Sequence, residues 1–252
     1  MTVQGQHFEL QLAQGEADIR AAQRLRYEVF VDELGGDGAL VDHDARLERD
    51  RFDPFVDHLL VRDPMRDGMV VGVYRLMRQE QAEAAGQFYS EDEYDLEPLR
   101  ASGRKLLELG RSCLHAEYRG GGAMFRLWQG LGQYVLDHGV EVLFGTASFH
   151  GTDVGALAEP LSFLHHRHLA PADLRVRARD FQPMDLIPQA DLDRRAAMQA
   201  MPALIKAYLR LGGCVGEGAF VDKSFNTTDV CLVMDTARMT EAQKSMYTKA
   251  RA

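Results

Sequence analysis

One segment, residues 107–128, constrains the fold of this chain most, because a strand-like stretch leads through three consecutive glycines into a helix-like stretch. It reads LELGRSCLHAEYRGGGAMFRLW. A strand, a glycine turn and a helix N-terminus predict an anion site, because backbone N–H groups point outward there and the helix dipole adds positive charge. Glycines also let the backbone approach a phosphate closely. The alternative is that RGGG only turns the chain.

The strand half of this segment carries two charged residues, Glu108 and Arg111. Their odd spacing would put them on opposite faces of a regular strand. Gly110 lies between them, and a glycine inside a strand predicts a bulge, which would turn both side chains to one face and free backbone N–H groups. A proton acceptor beside such donors suits an amine that attacks a thioester. The alternative is a charge pair on an edge strand.

The length and composition predict one globular domain over residues 1–252. Within it we expect a core at about 8–236 and a C-terminal tail at 237–252. The net charge of −9 argues against a nucleic-acid binder. Cys113, Cys214 and Cys231 are widely spaced and predict reduced thiols. The N-terminus lacks a signal-peptide pattern and no stretch reaches the roughly 20 apolar residues of a membrane span. We therefore expect a cytoplasmic protein, and peripheral contact at the inner face of the membrane is left open.

Hydrophobic periodicity predicts the order of elements. Strands are expected at 8–12, 58–62, 69–78, 104–114, 140–149, 174–181, 214–220 and 229–235, and helices at 16–34, after the glycines, at 153–169 and at 191–213 with an interruption at Pro202. Residues 80–103 are expected to form a loop with short helical pieces and a capping box of Ser90 with Glu93. The tail after Asp235 is expected to be a loose helix. This order is typical of an α/β domain with a mixed sheet.

Several motifs resemble the GNAT acyltransferase fold, a mixed and mostly antiparallel central sheet flanked by helices. The N-terminal half resembles the acyl-homoserine-lactone synthases within that fold. The matching motifs are R-x-x-x-F at Arg26 and Phe30, D-x-x-D at Asp50 and Asp53, G-x-x-R-L at Gly72, Arg75 and Leu76, and E-x-x-R at Glu108 and Arg111.

Later segments resemble the L-ornithine Nα-acyltransferases more closely. They are DPFVDHLLV, ASFHGTD, PLSFLHHRHLAP with RVRA, and PALIKAYLRLGGCVGEGAFVDKSFNTTDV. This resemblance implies transfer of a 3-hydroxyacyl group from acyl carrier protein to the α-amine of L-ornithine, giving lyso-ornithine lipid. No cofactor or metal is implied beyond the acyl-phosphopantetheine of the donor.

The phosphate loop of the fold, (R/Q)-x-x-G-x-(G/A), would fall on residues 119–124 but ends in Met124. This departure favours a carrier-bound donor over coenzyme A. Arg119, Gly120, Gly121 and Gly122 are then the residues expected to bind the phosphopantetheine.

The resemblance and the chemistry together suggest roles for individual residues. Glu108 is the first candidate base, acting through a water, His150 at a strand end is the second, and Arg111 joins them in the catalytic set. The residues expected to bind substrate are Arg26, Phe30, Asp50, Asp53, Arg75 and Ser148. Asp50 and Asp53 either meet the second ammonium group of ornithine or pair with Arg26 and Arg75 to hold the N-terminal region.

The HHRH run at 165–168 lacks carboxylate or cysteine partners at ligand spacing, so a zinc site is not expected. The preferred interpretation is a basic patch that docks an acidic carrier protein or anionic lipid heads, with a mixed exposed surface as the alternative. That patch would comprise His166, Arg167, Arg175, Arg177 and Arg179. Other functions left open are an acyl-homoserine-lactone synthase, an N-acyl amino acid synthase with another acceptor, and a catalytically silent acyl- or carrier-binding protein.

Overall fold

The computed structural model describes residues 8–241 and 243. The strands are β1 Glu9–Leu12, β2 Asp57–Asp63, β3 Met69–Arg78, β4 Tyr94–Asp95, β5 Leu106–Leu114, β6 Val142–His150, β7 Arg177–Ala178, β8 Cys214–Val215, β9 Phe220–Asp222 and β10 Thr227–Asp235. The α-helices are α1 Glu16–Arg26, α2 Gln79–Ala85, α3 Glu97–Ala101, α4 Gly122–His138, α5 Ala158–His168, α6 Arg194–Ala200 and α7 Ala203–Arg210.

The chain divides into two compact units. In the described residues, the first unit contains 8–85 and 109–139, and the second contains 86–108, 140–241 and 243. The boundary passes through β5, which contributes its first residues to the second unit and its last residues to the first. The expectation of one domain over 1–252 stays a prediction.

In the first unit the strand order is β1, β2, β3 and the end of β5. β1 pairs antiparallel with β2, and β2 with β3. Helix α1 buries Ala22 and Leu25 against Leu60 of β2 and Val73 of β3, because residues three to four apart share one helix face. The predicted helix from Glu16 is confirmed, and its last part, Tyr27–Glu33, is π-helical.

In the second unit the strand order is the start of β5, then β6, β10 and β8, with β9 also paired to β10. β5 and β6 are parallel, and β10 runs antiparallel to β6. Helix α6 ends at Ala200 and α7 begins after Pro202, as the predicted interruption requires. The mixed, mostly antiparallel sheet flanked by helices is thus confirmed.

Two local predictions are wrong. The alternating stretch 174–181 contributes only the two-residue strand β7, paired with β4, because most of its backbone bonds to loops instead. Ser90 does not cap a helix with Glu93. Instead, the 3₁₀ turn at Tyr89–Asp92 follows Phe88, whose N–H donates to Glu91 Oε2 at 2.7 Å.

Of the predicted tail helix, the described part contains a 3₁₀ turn at Thr236–Arg238. Residues 242 and 244–252 lie outside the described residues. Within the described part of the chain, no helix combines the length and apolar character needed to cross a membrane.

Candidate active site

A network of six charged side chains lies in the first unit. It contains Arg26, Glu48, Asp50, Asp53, Arg75 and Arg111. Arg26, on the last turn of α1, is fully buried. Its guanidinium bonds Glu48, and its Nη1 lies 2.7 Å from Asp53 Oδ1. Gln23, one turn earlier on the same helix, donates to Asp53 Oδ2 at 2.9 Å. The helix end is therefore tied to the irregular segment that follows it.

The same network continues through Asp50. Its Oδ2 bonds Arg75 of β3 and lies 3.2 Å from Arg111 Nη2. Arg111 Nε also donates to Glu48 Oε1 at 3.2 Å. Asp50 and Asp53 therefore make the arginine pairs that the sequence suggested as one of their two roles, and Arg111 joins them.

Charge balance keeps this buried network ionised. Burial alone would raise the pKa of the Glu48 carboxyl, but the charges of Arg111 and Arg26 hold it below its usual value. The pKa of Asp50 is likewise well below its usual range, because Arg75 and Arg111 outweigh burial. The pKa of Asp53 is lowered against burial chiefly by Arg26. Three cations thus balance three carboxylates, and loss of any one would leave an uncompensated buried charge.

Glu48, in the network, and His58, beside it, were not predicted from the sequence. In an extended segment residues two apart face the same side, so the pair Glu48 and Asp50 carried a signal. His58 is buried in β2 and its Nε2 lies 3.2 Å from the Asp53 carbonyl oxygen. Burial lowers the pKa of this imidazole, which favours the neutral form. No sequence motif distinguishes it from an ordinary strand histidine.

The backbone irregularity expected in β5 is present at Arg111. Its φ is 51°, in the left-handed region that non-glycine residues rarely adopt. A Cβ at the preceding Gly110 would lie 3.6 Å from the Arg75 guanidinium, so the backbone runs close to that side chain. This conformation accompanies the contacts of Arg111 with the network.

Glu108, in the second unit, is 3% exposed. Its Oε2 accepts the Tyr89 N–H at 2.8 Å and its Oε1 accepts the Ser90 N–H at 2.6 Å. Both carboxylate oxygens therefore fix the start of the 3₁₀ turn. The expectation that Glu108 and Arg111 share a face stays a prediction.

The glycine turn leads from β5 into α4, as the sequence predicts. Gly120 has φ 76°, Gly121 precedes the helix and Gly122 is its first residue; all three are exposed. Arg119 donates to Glu33 at 2.6 Å and to the Leu114 carbonyl oxygen at 3.2 Å. The turn thus presents an accessible helix N-terminus beside a partly exposed guanidinium, and donor binding there stays a prediction.

The other expected site residues lie as follows. His150 is the exposed last residue of β6, opposite Thr227 of β10. Ser148 is exposed two residues earlier, opposite Asp229. In the first unit, Phe30 packs partly buried against the apolar cluster beneath α1. Their roles toward substrate stay predictions.

The first unit also contains an acidic cleft of about 690 Å³. It is lined by Gln23, Ala39, Leu40, Val41, Asp42, His43, Asp44, Arg49, Asp50, Asp53 and Pro54. Asp42 pairs with Arg49 at 2.7 Å. Asp44 is exposed and makes no hydrogen bond or ion pair with any residue that the structure describes. One side of the cleft therefore borders the ion network, and its opening carries an uncompensated carboxylate.

Most residues of the basic patch expected from the sequence bond to neighbouring backbone carbonyls or to a carboxylate. Arg175 and Arg179 donate to backbone carbonyls at 2.7 Å each, and Arg177 pairs with Glu217 at 2.8 Å. His166 Nε2 contacts the Ile187 carbonyl oxygen at 2.9 Å. In contrast, Arg167 makes no such contact within the described residues. Four of the five residues of the expected patch therefore already have a bonding partner within the protein.

Comparison with known proteins defines the class. Residues 25–129 match the model of the acetyltransferase (GNAT) domain. The AHL synthase LasI is similar over 98% of this chain and 100% of its own, with a TM-score of 0.53 and 16% identity. FeeM, an N-acyl amino acid synthase from uncultured soil microbes, is similar over 92% of each chain, with a TM-score of 0.52 and 10% identity. At these identities the two structures establish the fold alone, which is that of the GNAT acyltransferases.

Proteins related in sequence define the family more narrowly than these structures do. An L-ornithine N(alpha)-acyltransferase of Rhodobacter capsulatus is 61% identical over 96% of this chain and 95% of that protein. Another from Brucella abortus is 45% identical over 95% of this chain and 88% of that protein. This chain belongs to the L-ornithine N(alpha)-acyltransferase family.

Proposed function

We propose that this protein transfers a fatty acyl group, of the 3-hydroxyacyl type, from acyl carrier protein to the α-amine of L-ornithine, giving lyso-ornithine lipid. The observation that carries the acylation of ornithine is the 61% identity, over nearly the full length of both chains, to a protein of that name. The acyltransferase fold is consistent with it. The carrier-bound donor, a cytoplasmic location and peripheral membrane contact are further parts of the proposal.

The acidic cleft is the proposed acceptor site. Ornithine carries a second ammonium group, which a carboxylate would bind. Asp50 and Asp53 border the cleft but each already faces at least one arginine, so their first role in the proposal is to hold the cleft wall. Asp44, also in the cleft lining and without a described partner, is the proposed contact of the side-chain ammonium.

The proposed chemistry is direct aminolysis. The α-ammonium loses a proton, the amine nitrogen attacks the thioester carbonyl carbon, the C–N bond forms, and the C–S bond breaks to release a thiol. Holding both reactants in line can contribute about 7–11 kcal/mol in favourable cases, and a positioned base adds about 10²–10⁴-fold. No covalent enzyme intermediate is needed.

Glu108 and His150 remain the two proposed bases. Glu108 accepts the Tyr89 and Ser90 N–H groups, and each of its oxygens keeps a second lone pair that could accept a proton. His150 is exposed at the end of β6, and a neutral imidazole has one ring nitrogen that can accept a proton. Separate substitution of the two residues distinguishes these assignments.

The donor proposal depends on the turn at residues 119–122. Its three glycines are exposed, and Arg119 directly precedes them. Met124 stands where the usual loop has a small residue, which favours the single phosphodiester of a pantetheine arm over coenzyme A. Arg119 and the three glycines are the proposed contacts.

The decisive experiment incubates the purified protein with 3-hydroxyacyl carrier protein and a panel of amino acids, with mass spectrometry of the products. We expect Nα-acyl-ornithine as the main product. Preference for a neutral amino acid would refute the acceptor, and acyl-homoserine lactone from S-adenosylmethionine would support the alternative activity. Release of thiol without any acylated amine would contradict N-acyl transfer.

A further inference from the structure

Two adjoining hollows in the second unit bring several cations together. The first, of about 310 Å³, is lined by Phe163, Arg167, His168, Gln189, Leu192 and Arg194. The second, of about 620 Å³, is lined by Arg194, Arg195, Met198, Gln199 and Lys206. Arg194, the first residue of α6, belongs to both linings. The two hollows therefore share one guanidinium.

The positively charged side chains that line these hollows are not paired with carboxylates of the described residues. Arg167, Arg194, Arg195 and Lys206 make no side-chain hydrogen bond or ion pair with any residue in the described ranges. This is unexpected in a chain with a net charge of −9. Most of the arginines assigned to a basic patch from sequence are, in contrast, held by neighbouring groups.

The electrostatics of His168 indicate that these charges converge. Burial, and then the positive charges of Arg167 and Arg194, lower the pKa of its imidazole. The ring packs against Phe163 with centroids 5.3 Å apart. An imidazole and two guanidiniums thus face one small hollow that also has an apolar wall.

Helix geometry explains only part of this arrangement. Arg167 and His168 lie in the last turn of α5, where the helix dipole favours cations. Arg194 comes from a different helix and gains nothing from that dipole. Two carboxylates near the start of α6 accept backbone N–H groups, since Asp193 accepts the Arg195 N–H at 2.8 Å and Glu159 accepts the Asp193 N–H at 3.1 Å. A bound anion would offset the mutual repulsion of the cations.

We propose that the two hollows form a binding site for a phosphate group. Arg167 and Arg194 donate to its oxygens, since the planar guanidinium matches phosphate geometry. His168 adds a third donor, and Lys206 extends the positive field into the second hollow. Phe163 and Leu192 accommodate an apolar portion next to the phosphate. The phosphate belongs either to the headgroup of an anionic lipid or to a free phosphate or its ester, and the proposal does not depend on which acceptor the enzyme acylates.

The first test is an NMR pH titration of the His168 ring in the full-length protein, with and without inorganic phosphate. Bound phosphate stabilises the imidazolium, so the apparent pKa of His168 should rise saturably. Arg194→Gln should raise that pKa even without phosphate, because a neighbouring positive charge is removed, and should abolish the response to phosphate. Arg210→Gln, on α7, is the matched control and should behave as wild type.

The second test is cosedimentation with vesicles of phosphatidylcholine, alone or mixed with phosphatidylglycerol. If the source is a lipid headgroup, binding should require phosphatidylglycerol and weaken about fivefold with each of Arg167→Gln and Arg194→Gln, from about 1 kcal/mol per charge and 1.4 kcal/mol per decade. A His168 response to phosphate without any dependence on phosphatidylglycerol assigns the site to a free phosphate or its ester.

The proposal is overturned if phosphate leaves the His168 titration unchanged and no vesicle binds. It is equally overturned if Arg194→Gln and Arg167→Gln both respond to phosphate as the wild type does. Thermal unfolding shows whether each variant is folded. If Arg194→Gln does not fold, the phosphate titration is carried out with Arg167→Gln in its place.

Discussion

Replacing Glu108 by glutamine separates the structural use of this carboxylate from its chemical use. In the protein, its two oxygens accept the N–H groups of Tyr89 and Ser90. A glutamine keeps one acceptor oxygen but turns an NH₂ group toward the other N–H. One buried donor is then unsatisfied, which costs about 1–3 kcal/mol. For a chain of this size, that lowers Tm by roughly 2–4 °C per kcal/mol, or about 2–12 °C.

The chemical effect should be much larger than this loss of stability. A domain stable by about 5–15 kcal/mol remains almost entirely folded after losing 1–3 kcal/mol, so kcat should hardly change for structural reasons. If Glu108 is the base, kcat should fall about 10²–10⁴-fold while the KM for the donor stays nearly constant. The assay is the steady-state release of thiol from acyl carrier protein at 25 °C, beside a thermal melt.

Glu91→Gln is the matched control. Glu91 also anchors this turn, by accepting the Phe88 N–H and pairing with Arg100. A comparable loss of stability is expected, with kcat close to that of wild type. Equal kcat for Glu108→Gln and wild type would refute Glu108 as the base, and a large loss in His150→Asn would then assign the role to His150. A large kcat loss in the Glu91 variant would mean that the geometry of the turn, not the carboxylate, controls the rate.

Four further predictions remain, one on the acceptor, two on the ion network and one on the donor. Asp44→Asn should raise the KM for ornithine roughly two- to fivefold, as expected for an exposed ion pair worth about 0.5–1 kcal/mol, and should leave the KM for norvaline unchanged. The control Asp67→Asn should leave the KM for both substrates unchanged. An equal response of both substrates to Asp44→Asn in steady-state kinetics would contradict the acceptor site. Arg26→Met should lower the free energy of unfolding by about 3–5 kcal/mol in a denaturant titration, because Glu48 and Asp53 each lose one arginine partner and the buried network is left one positive charge short; a loss below 1 kcal/mol would contradict the network's role. Because the folded pKa of Asp53 and its two neighbouring carboxyls is lowered, the stability they contribute is present above the unfolded value of about 4 and is lost as pH falls below it, so Tm measured from pH 7 to 2 should drop steeply below about pH 4. Acyl carrier protein should exceed acyl-CoA in kcat/KM, and Arg119→Gln should raise the donor KM; equal kcat/KM for the two donors would exclude carrier selectivity.

The sequence by itself determined most of the long elements and their order. Alternating apolar residues define β1, apolar runs define β3 and β6, and the apolar spacing after Gly122 defines α4, because the side-chain pattern is a local property of each segment. The same holds for the interruption of the last long helix at Pro202, which depends on the missing N–H of proline. The short motifs also contain five of the six members of the ion network, since each motif is a fixed spacing of residue types along the chain.

Tertiary structure decided how those residues are used. Glu48 joins the network only because the segment after α1 folds back against Arg26. Its spacing from Asp50 places the two carboxylates on one face of an extended segment, but the local sequence does not show which cations they meet. The two hydrogen bonds to Glu108 come from a turn nearly twenty residues away. The convergence of Arg167 and Arg194 likewise arises between separate helices. Charge pairing and burial depend on contacts between residues distant in the chain, and periodicity carries no information about them.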